Sequence, residues 1–334
     1  MPHRKLPWWY FWQPFPDASG TFTYAQWARH QSIWRFALQP TSLMIVVFNM
    51  VPLLIWVTLI SVFCASYYEL YQTQGPGRLV LVSEKYIEPF LLSSLFLALL
   101  LVHRISSSFE RWWSARKHWG QMYNDVRSLN RLNMNWIYPT NPLLAGKLNL
   151  YLAALGASAS SSLLNDNGEV FLDVTANSMD PREAGLINNT EAPPISIVML
   201  ISHHITMLKK SDQLDSFQAV AMEDRLTSWV DELGAHERIL NTPTYTAFTR
   251  QTSRFLILWL TFLPFGLAAY LSWSIIGCMP VLCFLLVGID NIASSTENPC
   301  TSLPLRAIAA GHANCVEVVR RAKQSPALAA VLEM

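Results

Sequence analysis

The stretch PTSLMIVVFNMVPLLIWVTLISVFCASYY, residues 40–68, contains no Asp, Glu, Lys or Arg. The stretch FLILWLTFLPFGLAAYLSWSIIGCMPVLCFLLVGI, residues 255–289, contains none either. Each is longer than the roughly 20 apolar residues that a helix needs to cross a bilayer. These two stretches decide the fold class, because they predict an integral membrane protein that crosses the bilayer more than once.

A third apolar run, residues 89–102, has only 14 residues, a length that suits a buried or re-entrant helix as well as a full span. The run continues through His103 and Arg104 into Ser106, Ser107 and Ser108, so a helix could cross while carrying polar groups at its inner end. Polar groups at membrane depth are tolerated where they face protein or water. This segment is therefore the first candidate for a pore lining.

The stretch 255–289 contains Pro264 and Gly277 and is long enough to cross, turn and return. We therefore expect four transmembrane helices, in a first hairpin over residues 43–109 and a second over residues 255–289. With four crossings, the remaining segments lie on one side of the membrane. These are an N-terminal cytosolic or interfacial segment (1–42), a helical cytosolic region (110–254) and a C-terminal cytosolic segment (290–334).

The distribution of positive charge agrees with this arrangement. Residues 1–42, 103–254 and 290–334 hold 22 of the 24 Lys and Arg residues, whereas the loop 67–88 holds only Arg78 and Lys85. An excess of Lys and Arg marks the cytoplasmic side. The aromatic residues at positions 8–12 predict an interfacial anchor.

The cytosolic region has two helical patterns. Residues 110–135 alternate apolar and basic positions at helical spacing, which predicts an amphipathic helix that continues the third apolar run. Residues 195–240 are also helical in pattern. Residues 160–194 are rich in Ser, Asn, Asp, Gly and Pro, and this composition predicts a loop insertion.

Several classes of protein are excluded by composition and spacing. The net charge of +1 argues against a nucleic-acid partner, and the five scattered cysteines form no CxxC pair. The best candidates for a metal site are His203–His204 and His236–Glu237. Neither fits, because adjacent His side chains point to different helix faces and no His-Glu-x-x-His motif exists. The sequence predicts no enzyme, no cofactor and no metal.

Three ordered strings resemble the bestrophin family, in its plant, algal and bacterial branch. They are HRISSSFERWWSARKHWGQMYNDVRSLNR (103–131), LGAHERILNTP with RFLILWLTFLPFGL (233–243 and 254–267), and IDNIASSTENP (289–299). Together they cover most of residues 85–320. The positions that carry the motifs are Arg104, Ser108, Arg111, Trp112, Trp113, Asn298 and Pro299.

The resemblance implies an all-helical pentameric ring with an axial pore that conducts chloride or bicarbonate. It implies a pore neck at Leu95, Leu99 and His103 and a cytosolic aperture at Phe217. Residues i, i+4 and i+8 share one helix face, so five copies would stack three rings along the axis. Such apolar rings can gate by dewetting.

For each of these residues, a purely structural role stays open as the alternative. His103 replaces an aromatic residue of the family, and two interpretations stay open. It is either a pH sensor, since histidine is the side chain that changes charge on mild acidification, or a histidine packed against the neighbouring helix. Phe217 is read either as aperture or as core. Arg104 and Arg111 are read either as groups that act on ions or as structural groups paired with Glu110, Glu237 or helix C-termini.

Two departures from the family pattern concern calcium and the preferred anion. Residues 300–304, which follow Asn298–Pro299, contain no carboxylate, so the calcium clasp of the animal members is absent and calcium gating is not expected. Ile105 and Phe109 also differ from the family pattern, which leaves the preferred anion open. The alternative to an anion channel is a non-conducting scaffold or a subunit of a mixed ring with paralogues. The membrane is either the plasma membrane or a chloroplast membrane.

Overall fold

The computed structural model describes residues 40–72, 79–176 and 179–325, with side chains from Met50 onward. The predicted aromatic anchor at residues 8–12 lies outside these residues. Within the described ranges, every regular element is helical. The expectation of an all-helical fold is therefore confirmed.

Eleven α-helices follow one another along the described residues. Their bounds are α1 Pro40–Leu70, α2 Ile87–Leu132, α3 Pro142–Leu164, α4 Glu169–Thr175, α5 Pro181–Asn188, α6 Pro193–Lys210, α7 Ser216–Asn241, α8 Thr246–Leu271, α9 Ile275–Glu297, α10 Pro299–Ser302 and α11 Leu305–Lys323. Short 3-10 turns precede α2 and separate α8 from α9, and a π-helical turn, Asn133–Ile137, follows α2.

The chain divides into two compact units. The first comprises the segment that ends at Trp112 and the segment Pro243–Asn298. Helices α1, α8, α9 and the first part of α2 contribute to its apolar core, in which Val57, Leu101, Leu260 and Met279 are buried. We call it the hairpin unit.

Helices α8 and α9 run antiparallel. The 3-10 turn Ser272–Ser274 separates them, and Ser272 has a positive φ of 46°. Ser253, near the start of α8, lies 3.4 Å from Asp290, near the end of α9. The beginning of one helix therefore lies beside the end of the other, as a hairpin requires.

Three helical stretches of the described chain are long and apolar enough to cross a membrane. They are Met50–Leu70, Glu84–Ile137 and Thr246–Glu297, and the third contains both α8 and α9. The α8–α9 stretch begins before the uncharged sequence, because Arg250 and Arg254 lie in the first turns of α8.

Helix α2 is a single helix of 46 residues. It begins just before the third apolar run and continues through the amphipathic stretch, so the predicted continuation is confirmed. The start of α2 lies so close to α8 that residue 266 must be a glycine. A Cβ at Gly266 would lie 2.9 Å from the backbone nitrogen of Ile87.

The second unit comprises Trp113–Thr242 and the segment that begins at Pro299. We call it the helical-bundle unit. Its largest fully buried side chains include Trp119, Trp229, Tyr151 and Phe171. Helix α3 packs against α11 and α6, and its Gly156 allows a close approach, since a Cβ there would lie 2.5 Å from the ring of His312 on α11.

The prediction of a loop insertion over residues 160–194 is wrong. Helix α3 continues to Leu164, and α4 and α5 follow within the segment. The turn-forming residues serve as helix caps, because Asp166 accepts hydrogen bonds from the backbone of Gly168 and Val170, and Asp180 caps α5. Composition alone does not distinguish a cap from a loop.

The helical pattern over residues 195–240 is confirmed as two helices, α6 and α7. The break between them contains Asp212 with a φ of 57°. Asp215 then caps α7 through a reciprocal capping box with Gln218.

Candidate functional site

Helix α2 has one exposed and one buried face within the hairpin unit. The exposed apolar residues are Leu91, Leu92, Leu95, Phe96, Leu99 and Val102. The buried positions are Leu97, Leu101, Arg104 and Ser108, which recur at three- and four-residue spacing. The apolar stripe toward the outside therefore needs a cover of lipid, a neighbouring copy or a narrow pore.

The predicted neck residues lie on this exposed face. Leu95 and Leu99 are 63% and 59% exposed, and His103 is exposed as well. From Leu95 to His103 the helix rises about 12 Å. The His103 ring also meets the ring of Phe248 on α8 edge to face, with centroids 5.0 Å apart. The single chain thus leaves His103 both accessible and in contact with the next helix.

One end of the hairpin unit carries exposed aromatic side chains. They are Tyr71, Tyr86, Tyr270 and Trp273. Tyr and Trp are enriched at membrane interfaces because their rings are apolar and their tips polar. At 1.5 Å per residue, Asp290 lies about 27 Å along the helix from Ser272, and Arg104 is as far from Tyr86. This distance is close to the roughly 30 Å thickness of the hydrocarbon core.

Arg104 lies at the other end of that distance and joins three helices. Its guanidinium pairs with the carboxylate of Asp290 on α9, and it donates to Ser253 Oγ of α8 at 2.7 Å and to Ser294 Oγ of α9 at 2.9 Å. Only 6% of the residue is exposed. We call Arg104, Asp290, Ser253 and Ser294 the anchoring junction.

The expected partners of Arg104 are therefore wrong, since Asp290 takes the place of Glu110 or Glu237. The structural interpretation of Arg111 agrees with its contact, because its Nε donates to the backbone oxygen of Glu297 at the C-terminus of α9, at 3.3 Å. Carbonyl groups at a helix C-terminus attract a cation.

The other motif residues follow the junction along α2 and α9. Ser108 is buried, and the Trp112 ring stacks on Phe109 with centroids 6.0 Å apart. Trp113 is half-exposed. Asn298, which has an extended backbone, directly follows the last residue of α9, and Pro299, the first residue of α10, is buried.

Phe217 belongs to the helical-bundle unit and begins α7 beside its cap. It is 85% exposed, and its backbone N–H donates to Asp215 Oδ2 at 3.1 Å. Phe217 is therefore not a core residue of the single chain.

Asp290 is the residue that sequence reasoning missed. It lies in the third quoted string, and it directly follows the uncharged stretch. A carboxylate and an arginine that both border apolar spans are expected to pair, because an unpaired charge at that depth is costly. That signal was present in the sequence.

The helical-bundle unit contains a second cluster of titratable groups. The buried rings of His236 and His312 both contact the ring of Trp119, with centroid distances of 4.9 and 5.9 Å respectively. Burial lowers the pKa of each imidazole to about 4, and at His236 the nearby His118 contributes to this lowering. Both histidines are therefore neutral at pH 7. Among the residues that the structure describes, no group of three His, Cys, Asp or Glu side chains could hold a metal ion.

Comparisons with known proteins agree on one family. The family described as Bacterial/Fungal Bestrophin protein matches residues 26–318. A voltage-dependent anion channel-forming protein of Synechocystis is 28% identical over 64% of this chain and 69% of its own length. The chloroplastic voltage-dependent chloride channel 2 of Arabidopsis thaliana is 23% identical over 85% of this chain and 69% of its own length.

Solved structures show the same fold. A bacterial bestrophin homologue from Klebsiella pneumoniae superposes with a TM-score of 0.71, at 23% identity, over 81% of this chain and 98% of its own. A glycine-to-alanine variant of a membrane protein gives a TM-score of 0.73, also at 23% identity, over 83% of this chain and 99% of its own.

Proposed function

This chain belongs to the bacterial and fungal bestrophin family, and from that premise we propose that it is an anion channel that conducts chloride or bicarbonate. The named relatives that support this proposal are anion and chloride channels. The observation that carries it is the exposed apolar stripe of α2, which ends at a buried charge pair close to one membrane boundary.

The neck of the proposed pore consists of Leu95, Leu99 and His103. These side chains share one face of α2 at intervals of four residues, so a ring of subunits turns them toward one axis. The two rings of leucines hold a permeating anion weakly, and a weak site allows fast exit. Arg104 does not supply the attraction, because Asp290 neutralises it in the anchoring junction.

The proposed assembly is a ring of five copies, either identical or mixed with paralogues, in which each copy crosses the membrane four times. The exposed apolar surface of α2 supports it, since a stripe of leucines requires a cover. The antiparallel pair α8 and α9 supplies two of the four crossings, and α1 and α2 supply the others.

A second constriction is proposed at Phe217. Its ring is exposed at the start of a capped helix, so five copies could narrow a path through the assembled helical-bundle units. Gating by calcium is not part of the proposal, because residues 300–304 offer no carboxylate ligands. Catalysis is not part of it either.

Anion flux from reconstituted vesicles tests the proposal. Wild-type protein is expected to release chloride, and the flux should rise as the solution on the His103 side is acidified, because protonated imidazoles attract anions. His103→Phe should conduct with a flat pH profile. The exposed His203→Gln is the matched control and should keep the wild-type profile.

Two results would contradict parts of this proposal. Tight vesicles that contain intact pentamers would favour a non-conducting scaffold. An unchanged pH profile in His103→Phe would remove the pH sensor and leave the channel.

A further inference from the structure

The anchoring junction ties α2 to both helices of the second hairpin. Each terminal nitrogen of Arg104 has a partner, Asp290 and Ser253 for one and Ser294 for the other. Ser253 Oγ also lies 3.4 Å from the second carboxylate oxygen of Asp290. Four side chains from three helices therefore form one hydrogen-bonded group.

Such a group permits one arrangement of the helices. A guanidinium is planar and its donors form a rigid fork, so its partners must lie in fixed directions. A buried charge whose partner is removed is strongly unfavourable, and the apolar surroundings near a membrane boundary increase that penalty. The junction therefore resists any rotation of α2 against α8 and α9.

Rotation of α2 matters because of the residue before Arg104. Adjacent residues on a helix are about 100° apart, so the direction of Arg104 fixes that of His103. The ring of His103 is additionally in contact with Phe248 of α8. Leu99, one turn earlier, lies on the same face as His103.

We propose that Arg104 and Asp290 are positioning residues that set the orientation of the inner part of the pore neck, at Leu99 and His103, through the anchoring junction. This inference rests on the proposed channel function. It assigns Arg104 no contact with the permeating anion, because its guanidinium is buried and neutralised by a carboxylate.

The test uses a cysteine at the neck, Leu99→Cys, in a Cys278→Ser background that removes the exposed native thiol. The rate at which a charged, water-soluble thiol reagent modifies residue 99 is measured in assembled channels, together with the permeability of thiocyanate relative to chloride. Asp290→Asn and Arg104→Gln each leave one buried charge without its partner. We expect each to change both readouts about fivefold or more, the lower range of coupling between linked sites.

Three further variants separate positioning from general stability. The double variant Arg104→Gln with Asp290→Asn removes both charges and should return both readouts to within about twofold of wild type, because amides can hydrogen-bond to each other and no charge stays buried. Arg104→Lys keeps the charge but loses the fork, so it should fall in between. Ser272→Ala, which removes the hydrogen bond to Glu69 at the opposite end of the same hairpin, should change neither readout.

The outcomes are distinguishable. If residue 99 is modified and chloride flows, but the single variants match Ser272→Ala, the positioning role is overturned and the channel stands. If a variant does not assemble, the Arg104→Lys and double variants decide by the same criterion. If residue 99 is never modified and no variant conducts chloride, the neck itself is absent, and the proposed function fails together with this inference.

Discussion

In the hairpin unit, many large apolar side chains point outward, whereas the helical-bundle unit fully encloses several of its largest ones. The outward residues include Ile55, Leu59, Leu258, Phe262 and Leu285. The enclosed ones include Trp119, Trp229, Tyr151 and Phe171. The difference shows that the two units are adapted to different surroundings, apolar for the first and aqueous for the second.

Buried polar groups follow the same division. The hairpin unit buries a full charge pair, Arg104 with Asp290, and the terminal nitrogens of Arg104 also donate to two serine hydroxyls. The helical-bundle unit buries neutral histidines and the carboxylate of Asp125, which accepts from Ser228 at 2.8 Å. In both units, these polar groups are buried where hydrogen bonds or neutralisation reduce the cost.

The largest effect on stability is expected when a charge is introduced at similarly exposed apolar positions of the two units. Val281 of α9 and Val318 of α11 are similarly exposed, at 60% and 65%. Val281→Arg should destabilise the membrane-inserted protein by about 3 kcal/mol, since Val281 lies near the middle of the proposed span. Val318→Arg should change stability by less than about 0.5 kcal/mol.

Membrane-insertion efficiency and thermal unfolding in detergent measure the two variants side by side. Equal effects would contradict the assignment of different surroundings to the two units. A large effect of Val318→Arg alone would reverse it.

The sequence predicted the hairpin unit better than the helical-bundle unit, and the reason is physical. Uncharged stretches of 29 and 35 residues have few alternatives to membrane helices. The loop prediction for residues 160–194 is wrong because Asp166 and Asp180 suit helix caps as well as loops. The partner of Arg104 is 186 positions away, so no local spacing indicates it. The only signal is that both charges border apolar spans, where an unpaired charge is costly.

A smaller effect is expected from acidification of the helical-bundle unit. Burial holds the pKa of His236 and His312 at about 4, below the value near 6.5 of an unfolded chain. Between about pH 4 and about pH 6.5 the unfolded state thus binds more protons than the folded state. The contribution of the neutral histidines to the free energy of unfolding is fully present above about pH 6.5 and decreases as the pH falls toward about 4. Each histidine should contribute a loss of about 2 kcal/mol by pH 5.

Urea unfolding followed by tryptophan fluorescence at pH 7 and pH 5 measures this loss. His312→Leu should reduce the difference in unfolding free energy between the two pH values by about 2 kcal/mol, whatever the variant's stability at pH 7. The exposed His203→Gln should leave that difference unchanged. A wild-type difference that His312→Leu does not alter would assign the acid sensitivity to other groups.

The smallest effect on stability is expected at Phe217. This residue also tests whether the helical-bundle unit, and not only the hairpin unit, constricts the proposed pore. Its exposed ring contributes little to the core, so Phe217→Ala should change the unfolding free energy by less than about 0.5 kcal/mol. If the ring lines the proposed aperture, the variant should admit large anions more readily relative to chloride, measured as permeability ratios in reconstituted channels. Leu186→Ala, another exposed apolar residue of the helical-bundle unit, is the matched control. Equal permeability ratios in Phe217→Ala and Leu186→Ala would contradict the aperture. The neck in the hairpin unit would then be the constriction that selects anions.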